Sequence, residues 1–304
     1  MITIERDDAP GDGPPEFASA ARGEITSVGI VGSGIMGAGL AEVAACSGFD
    51  VVIRSRTTAG AGAVRERMTE RFRRLVESDR ITSDRAGEVL ARVVTTDRLH
   101  ALAGCDLVLE SVVEDLSVKR FLFEELDEVV KPSAVLATNT STLPVVDLAM
   151  ATKRPDQVCG IHFFNPVPVM SLVEVVRPIT ASDDTVKAAL GFVTTCGKDA
   201  VEVVDRAGFV VNALLFPYLN NAVRMLEHGT ASMRDIDAAM QGGCNFPMGP
   251  FAVLDLVGLD TSVAILDALY EEFRDPNYAT VPTLRRMVAA GLLGQKSGRG
   301  FYEY

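Results

Sequence analysis

The run Gly32-Ser33-Gly34-Ile35-Met36-Gly37 constrains the fold of this chain more than any other feature, because of what stands on either side of it. Ser27 to Val31 before it is a short apolar run, and residues 38–47 after it carry a helical pattern that stops at Gly48. Strand, Gly-rich turn and helix in that order open a parallel β-α-β unit. Glycines let the turn tighten and its backbone approach a pyrophosphate, whose charge is met by the helix N-terminus. Gly32, Gly34 and Gly37, with Ile35 and Met36 between them, therefore form a candidate dinucleotide site; a purely structural glycine turn is the alternative.

The alternation continues down the chain. Residues 51–54 read as a second strand, and residues 59–92, with Arg and Glu interleaved at helical spacing, as two helices broken near Ile81-Thr82-Ser83. Residues 107–111 and 135–138 are further short apolar runs, separated by an amphipathic helix over 117–130. After Asp205-Arg206-Ala207-Gly208 the strand pattern stops, and residues 209–228, 233–241, 251–273 and 282–290 read as helices. The expected architecture is α/β: a Rossmann-like doubly wound sheet domain over residues 23–205, then an all-helical C-terminal domain over 206–304. Residues 1–22 read as a disordered tail.

Composition removes several classes. The net charge of −12 argues against a nucleic-acid surface, which needs clustered Lys and Arg to neutralise phosphates. Cys46, Cys105, Cys159, Cys196 and Cys244 lack metal-ligand spacing and fall mostly in apolar or Gly-rich surroundings, so reduced packing thiols, no metal and a cytoplasmic setting are expected. No apolar run reaches the ~20 residues of a membrane helix, and the N-terminus has acids and prolines where a signal peptide would be apolar.

One of only three histidines, His162, stands where an expected strand over 158–163 breaks at the Pro-rich loop Asn165 to Pro168. The next run, 171–176, can return antiparallel and bring Glu174, twelve positions on, beside the imidazole. A carboxylate there fixes the ring tautomer and stabilises the imidazolium formed when a base takes a proton. The alternative is a core histidine satisfied by a backbone carbonyl.

At the end of the second strand, where an acid would bind an adenosine ribose diol, the chain has Ser55 flanked by Arg54 and Arg56. Asp50 precedes that strand and reads as a turn residue. Two guanidiniums and a hydroxyl suit a 2′-phosphate, so NADP is favoured, with NAD possible; solvated arginines are the alternative.

These residues, together with Ala137-Thr138-Asn139-Thr140-Ser141, the stretch from His162 to Met170, Gly208-Phe209-Val210-Val211-Asn212, Pro247-Met248-Gly249-Pro250 and Lys296-Ser297-Gly298-Arg299-Gly300-Phe301-Tyr302, make the chain resemble the 3-hydroxyacyl-CoA dehydrogenases from about Val28 to Tyr304. The short bacterial 3-hydroxybutyryl-CoA dehydrogenases are the nearest type. The resemblance implies a general base at His162, its orienting carboxylate at Glu174, and Ser141 and Asn212 as groups that hydrogen-bond the reacting oxygen and the thioester end. It implies that Glu114, Lys119, Asn165 and Lys296 line the nicotinamide half of the cofactor site. It also implies an NAD(P)-dependent oxidoreductase acting on an acyl-CoA, and dimerisation through the helical domain.

Two departures qualify the resemblance. Ser55 replaces the family's ribose-binding acid. The Ser and Lys that often contact CoA align with Arg71 and Ser78, leaving Arg67, Arg71, Arg73, Arg74 and Arg80 as a regional source of phosphate contacts. A sugar-acid or carrier-bound acyl dehydrogenase on the same fold, or a non-catalytic cofactor-binding protein, are the alternatives. A pure binding module has no need of an acid-base pair.

Overall fold

A computed structural model describes residues 25–304, and the tail expected over 1–22 lies outside the described residues. Strands β1 (Ser27–Val31), β2 (Asp50–Arg54), β3 (Val93–Thr96), β4 (Leu107–Glu110), β5 (Val135–Thr138) and β6 (Val158–Phe163) pair in parallel. β7 (Leu172–Arg177) returns antiparallel to β6, and β8 (Asp199–Val204) completes a sheet of order β3-β2-β1-β4-β5-β6-β7-β8. The order reverses at β1, which has β2 on one side and β4 on the other. Beyond the carboxyl ends of β1 and β4 such a reversal opens a crevice, the place where doubly wound sheets bind ligands.

Every residue of β4, β5 and β6 is buried, which is why these strands read as near-continuous apolar runs rather than as alternating ones. The connecting helices are α1 (Ile35–Cys46), α2 (Thr58–Glu77), α3 (Ser83–Ala91), α4 (Leu116–Val129), α5 (Val145–Ala149) and α6 (Asp183–Thr195). Thr57, Thr82, Asp115 and Ser182 start α2, α3, α4 and α6 by accepting a backbone N–H of the first turn. Val28, Ile30, Ile53, Leu109 and Ile161 of the sheet share one core with Leu40 and Phe72 of the helices. Burial stabilises each large apolar side chain by roughly 1.5–3 kcal/mol.

The described residues form two compact units: those up to Asn139 together with Val145–Glu202, and Thr140–Pro144 together with Val203–Tyr304. The second unit contains α7 (Val211–Glu227), α8 (Met233–Cys244), α9 (Pro250–Val257), α10 (Leu259–Phe273) and α11 (Pro282–Ala289) around a core of Phe216, Leu219, Phe251, Leu254, Leu266 and Leu284. The single helix expected over 251–273 is two helices. Gly258 lies between them at φ +101°, a conformation that residues with a Cβ rarely adopt and that interrupts the helix. Fully buried Asp255 accepts from the N–H groups of Phe301 and Tyr302 at 2.9 and 2.8 Å, tying down the C-terminal end of this helical unit. Among the described residues no helix is long and apolar enough to cross a membrane.

Candidate active site

The β6–β7 register sets His162 directly opposite Glu174. His162 Nδ1 lies 2.8 Å from Glu174 Oε2, with the two residues 4% and 1% exposed. A carboxylate on Nδ1 favours the tautomer with its proton on that nitrogen, in which Nε2 is the acceptor. The Phe164 ring packs at 4.5 Å from the imidazole, tilted by 56°, and helps to hold the ring in place. Asn139, at the end of β5, accepts from the Phe163 N–H at 2.8 Å and so pins the strand end that carries the histidine. Asn165 follows at once, exposed at the start of a loop whose Asn165–Pro166 bond is cis.

The Gly-rich turn fits a pyrophosphate. Gly32 has φ +128°, and a Cβ there would lie 2.1 Å from the Ser111 carbonyl oxygen, so the turn can pass over the end of β4 only as glycine. A Cβ on Gly37 would lie 2.0 Å from the Gly32 carbonyl oxygen, which lets α1 start hard against the turn. Gly34 faces open space and is the N-cap of α1 without a side-chain cap, so the first N–H groups of the helix meet that space rather than a side chain of their own. Ile35 and Met36 form the first helical turn, Ile35 exposed and Met36 packed on the sheet core.

At the end of β2 the three expected residues separate in role. Ser55 is buried and its Oγ lies 2.9 Å from Ser33 Oγ of the Gly-rich turn. Arg54 Nε donates to the Asp97 carbonyl at 3.4 Å, whereas Arg56 is exposed. The Thr58 hydroxyl holds the Asp97 carboxyl below the usual range, with Arg98 and Arg54 contributing. Asp50, the first residue of β2, is exposed at the opposite end of the strand and accepts from Arg92 at 3.1 Å.

Lys119 and Glu114 are brought together, and a third residue that sequence reasoning missed organises them. Lys119 Nζ, 1% exposed, donates to Glu110 Oε1 at 2.7 Å and lies 3.2 Å from Glu114 Oε2. Glu110 ends β4 fully buried, and accepts in addition from Thr138 Oγ1 at 2.7 Å and from the Val112 N–H at 2.6 Å. A carboxylate inside an apolar run was the available signal, since a buried charge needs a partner.

In the second unit, Ser141 belongs to the segment Thr140–Pro144, which Thr140 Oγ1 folds into a turn by accepting from the Leu143 N–H at 3.0 Å. Asn212 is buried in the first turn of α7, and Lys296 donates to Asp260 Oδ2 at 2.7 Å. The basic region expected to offer phosphate contacts is already partly committed. Arg71 pairs with Glu42, and Arg73 and Arg74 pair with Glu70 at 2.7 and 2.8 Å. Arg80 borders a surface depression, while Arg67 Nη2 donates to the Ser33 carbonyl at 2.7 Å. Burial pushes the thiols of Cys46, Cys159 and Cys196 up to about 12 and that of Cys105 up to about 11, so they are protonated packing groups at neutral pH.

A mostly parallel sheet with an open Gly-rich turn at its reversal point and a buried His–Glu pair across its antiparallel β6–β7 strands defines a dinucleotide-binding dehydrogenase fold. Residues 27–206 match the model of the 3-hydroxyacyl-CoA dehydrogenase NAD binding domain, and residues 208–304 that of the 3-hydroxyacyl-CoA dehydrogenase C-terminal domain. The chain belongs to the 3-hydroxyacyl-CoA dehydrogenase family. It is 47% identical over 282 residues to a 3-hydroxybutyryl-CoA dehydrogenase of Mycobacterium tuberculosis, covering 92% of this chain and 99% of the relative. It is 41% identical over 294 residues to the mitochondrial hydroxyacyl-coenzyme A dehydrogenase of Sus scrofa, covering 94% of each. The crystal structure of the (S)-3-hydroxybutyryl-CoA dehydrogenase from Ralstonia eutropha superposes with a TM-score of 0.90 at 39% identity, over 92% of this chain and 99% of that one.

Proposed function

We propose that this protein interconverts L-3-hydroxyacyl-CoA, with 3-hydroxybutyryl-CoA as the substrate, and 3-oxoacyl-CoA. The observation that carries the reading is the His162 Nδ1–Glu174 Oε2 contact of 2.8 Å inside a buried strand pair. In oxidation His162 Nε2 takes the hydroxyl proton of the substrate, and the imidazolium so formed is stabilised by Glu174. In reduction the imidazolium returns that proton to the developing alkoxide. A nicotinamide cofactor supplies the hydride acceptor or donor, while the protein binds and orients. Ser141 and Asn212 are assigned to the reacting oxygen and the thioester end. Glu114, Lys119, Asn165 and Lys296 are assigned to the nicotinamide half of the cofactor site. The division of labour follows residues 23–205 for the cofactor and 206–304 for substrate and assembly, in the cytoplasm.

The finer cofactor choice in this reading is NADP. No acid stands at position 55 to repel a 2′-phosphate, and Arg54 and Arg56 adjoin it in sequence, Arg56 exposed and Arg54 turned to the Asp97 carbonyl. Charge-assisted hydrogen bonds are worth ~1.5–3 kcal/mol each, but exposed arginines lose much of this to solvent screening, so a preference of about tenfold is expected. The Ser55→Asp variant should shift the ratio of kcat/KM values for NADPH and NADH toward NADH. A wild-type preference for NADH that the variant leaves unchanged would mean that the arginines are solvated bystanders.

A homodimer is the expected assembly. The reading rests on the family resemblance, and Leu214, Met225, Phe246 and Leu256 of the second unit are exposed apolar side chains available to a partner, with Leu214 at 72%. Light scattering at micromolar concentration should give twice the chain mass. A monomer there would remove the assignment.

A further inference from the structure

We infer that Arg67, rather than Arg54, is the second cation beside Arg56 on a 2′-phosphate of the cofactor's adenosine ribose, an inference that rests on the NADP reading. Three observations converge on one place. The hydroxyls of Ser33 and Ser55 meet at 2.9 Å, joining the Gly-rich turn to the first residue after β2. Ser55 Oγ also lies against the start of α2, since a Cβ built on Gly60 would come within 2.2 Å of it. Arg67, in the middle of α2, reaches back and donates through Nη2 to the Ser33 carbonyl at 2.7 Å.

A guanidinium has five N–H donors in a rigid fork, and the Ser33 carbonyl takes one of them from Arg67. Arg67 is exposed, and that hydrogen bond tethers its guanidinium to the residue whose hydroxyl meets Ser55. A phosphate monoester meeting the pair would find a donor fork already oriented, so less side-chain freedom is lost on binding. Arg54 is oriented differently. Its Nε is turned to the Asp97 carbonyl, and the Asp97 carboxylate lies close enough to feel its charge. The neighbours of Arg67 on the same helix, Arg71, Arg73 and Arg74, are paired with Glu42 and Glu70. Among these arginines of α2, Arg67 is the one whose charge is spent on a backbone carbonyl of the Gly-rich turn rather than on an acid.

Calorimetric titration of the full-length protein with adenosine 2′,5′-bisphosphate, 5′-AMP and adenosine 3′,5′-bisphosphate separates the possible sources of phosphate. In Arg67→Gln, binding of the 2′,5′-bisphosphate should weaken about tenfold, the scale of one lost charge-assisted contact, while 5′-AMP stays within about twofold. Arg67→Lys should recover part of the loss, because it restores the charge without the fork. Equal losses on 2′,5′-bisphosphate and 5′-AMP would assign Arg67 to the 5′-phosphate side and overturn the inference. A loss confined to the 3′,5′-bisphosphate would assign it to CoA and overturn it as well, as would no change with any ligand. If the wild-type protein binds the 2′,5′-bisphosphate no tighter than 5′-AMP, the NADP reading itself falls. If the wild type discriminates and Arg67→Gln discriminates equally, only the role of Arg67 falls.

Discussion

Replacing His162 by Gln should lower turnover at saturating substrate by ~10²–10⁴-fold, the usual contribution of a positioned general base. Cofactor affinity should be unchanged, because the histidine sits on β6 and the Gly-rich turn on the β1–α1 connection. Gln fills similar space and cannot take up a proton, so the loss measures proton transfer rather than packing. Glu174→Gln keeps the shape of the partner and removes the charge that stabilises the imidazolium, and a loss of similar order is expected. Steady-state rates together with a cofactor-binding titration check both variants. Near wild-type turnover in His162→Gln would sink the proposed proton transfer.

The largest effect on stability is expected at Glu110. Its carboxylate accepts from Lys119, Thr138 and the Val112 N–H, and both Glu110 and Lys119 are sealed from solvent. Glu110→Gln preserves volume but leaves a buried ammonium with only the half-exposed Glu114 as its acid. Breaking a buried pair by removing one partner costs about 3–5 kcal/mol, and Glu114 reduces that to about 3. For a unit of this size that lowers Tm by roughly 10 °C. Lys119→Met added to Glu110→Gln should restore part of the loss, because no buried charge is then left unpaired. Thermal unfolding of the cofactor-free protein decides it. An unchanged Tm in Glu110→Gln would show that the pair contributes nothing net.

The sheet was legible where burial on both faces turned strands into apolar runs, as in β4, β5 and β6. β3 was not, because Val93-Val94-Thr95-Thr96 follows α3 with no Gly or Pro to punctuate it. β8 was missed because Asp199 and Glu202 break its apolar pattern, and exposure along the strand tolerates them. The helix break at Gly258 was hidden inside a continuous apolar pattern, where one glycine at positive φ outweighs the periodicity on either side.

The candidate site divides in the same way. His162 and Glu174 could be paired from sequence, since a strand, a Pro-rich turn and a returning strand fix which residues face each other. The Ser33–Ser55 contact could not, because it depends on how β1 and β2 register in parallel, with the whole of α1 between them. Glu110 was concealed by its partner's position: Lys119 stands nine residues later, in the next helix, and only the fold brings the two charges together. Arg54 and Arg56 are equivalent in sequence, and they are separated by Asp97, which arrives from the end of β3.

Proton transfer by His162 in a 3-hydroxyacyl-CoA dehydrogenase reaction is tested most directly by the initial rate of acetoacetyl-CoA reduction by the wild-type protein with each reduced nicotinamide cofactor. Saturable oxidation of the nicotinamide that yields L-3-hydroxybutyryl-CoA is expected, with kcat/KM about tenfold higher for NADPH than for NADH and with turnover lost in His162→Gln. Wild-type protein that binds the cofactor yet oxidises neither NADPH nor NADH in the presence of acetoacetyl-CoA would contradict that reaction.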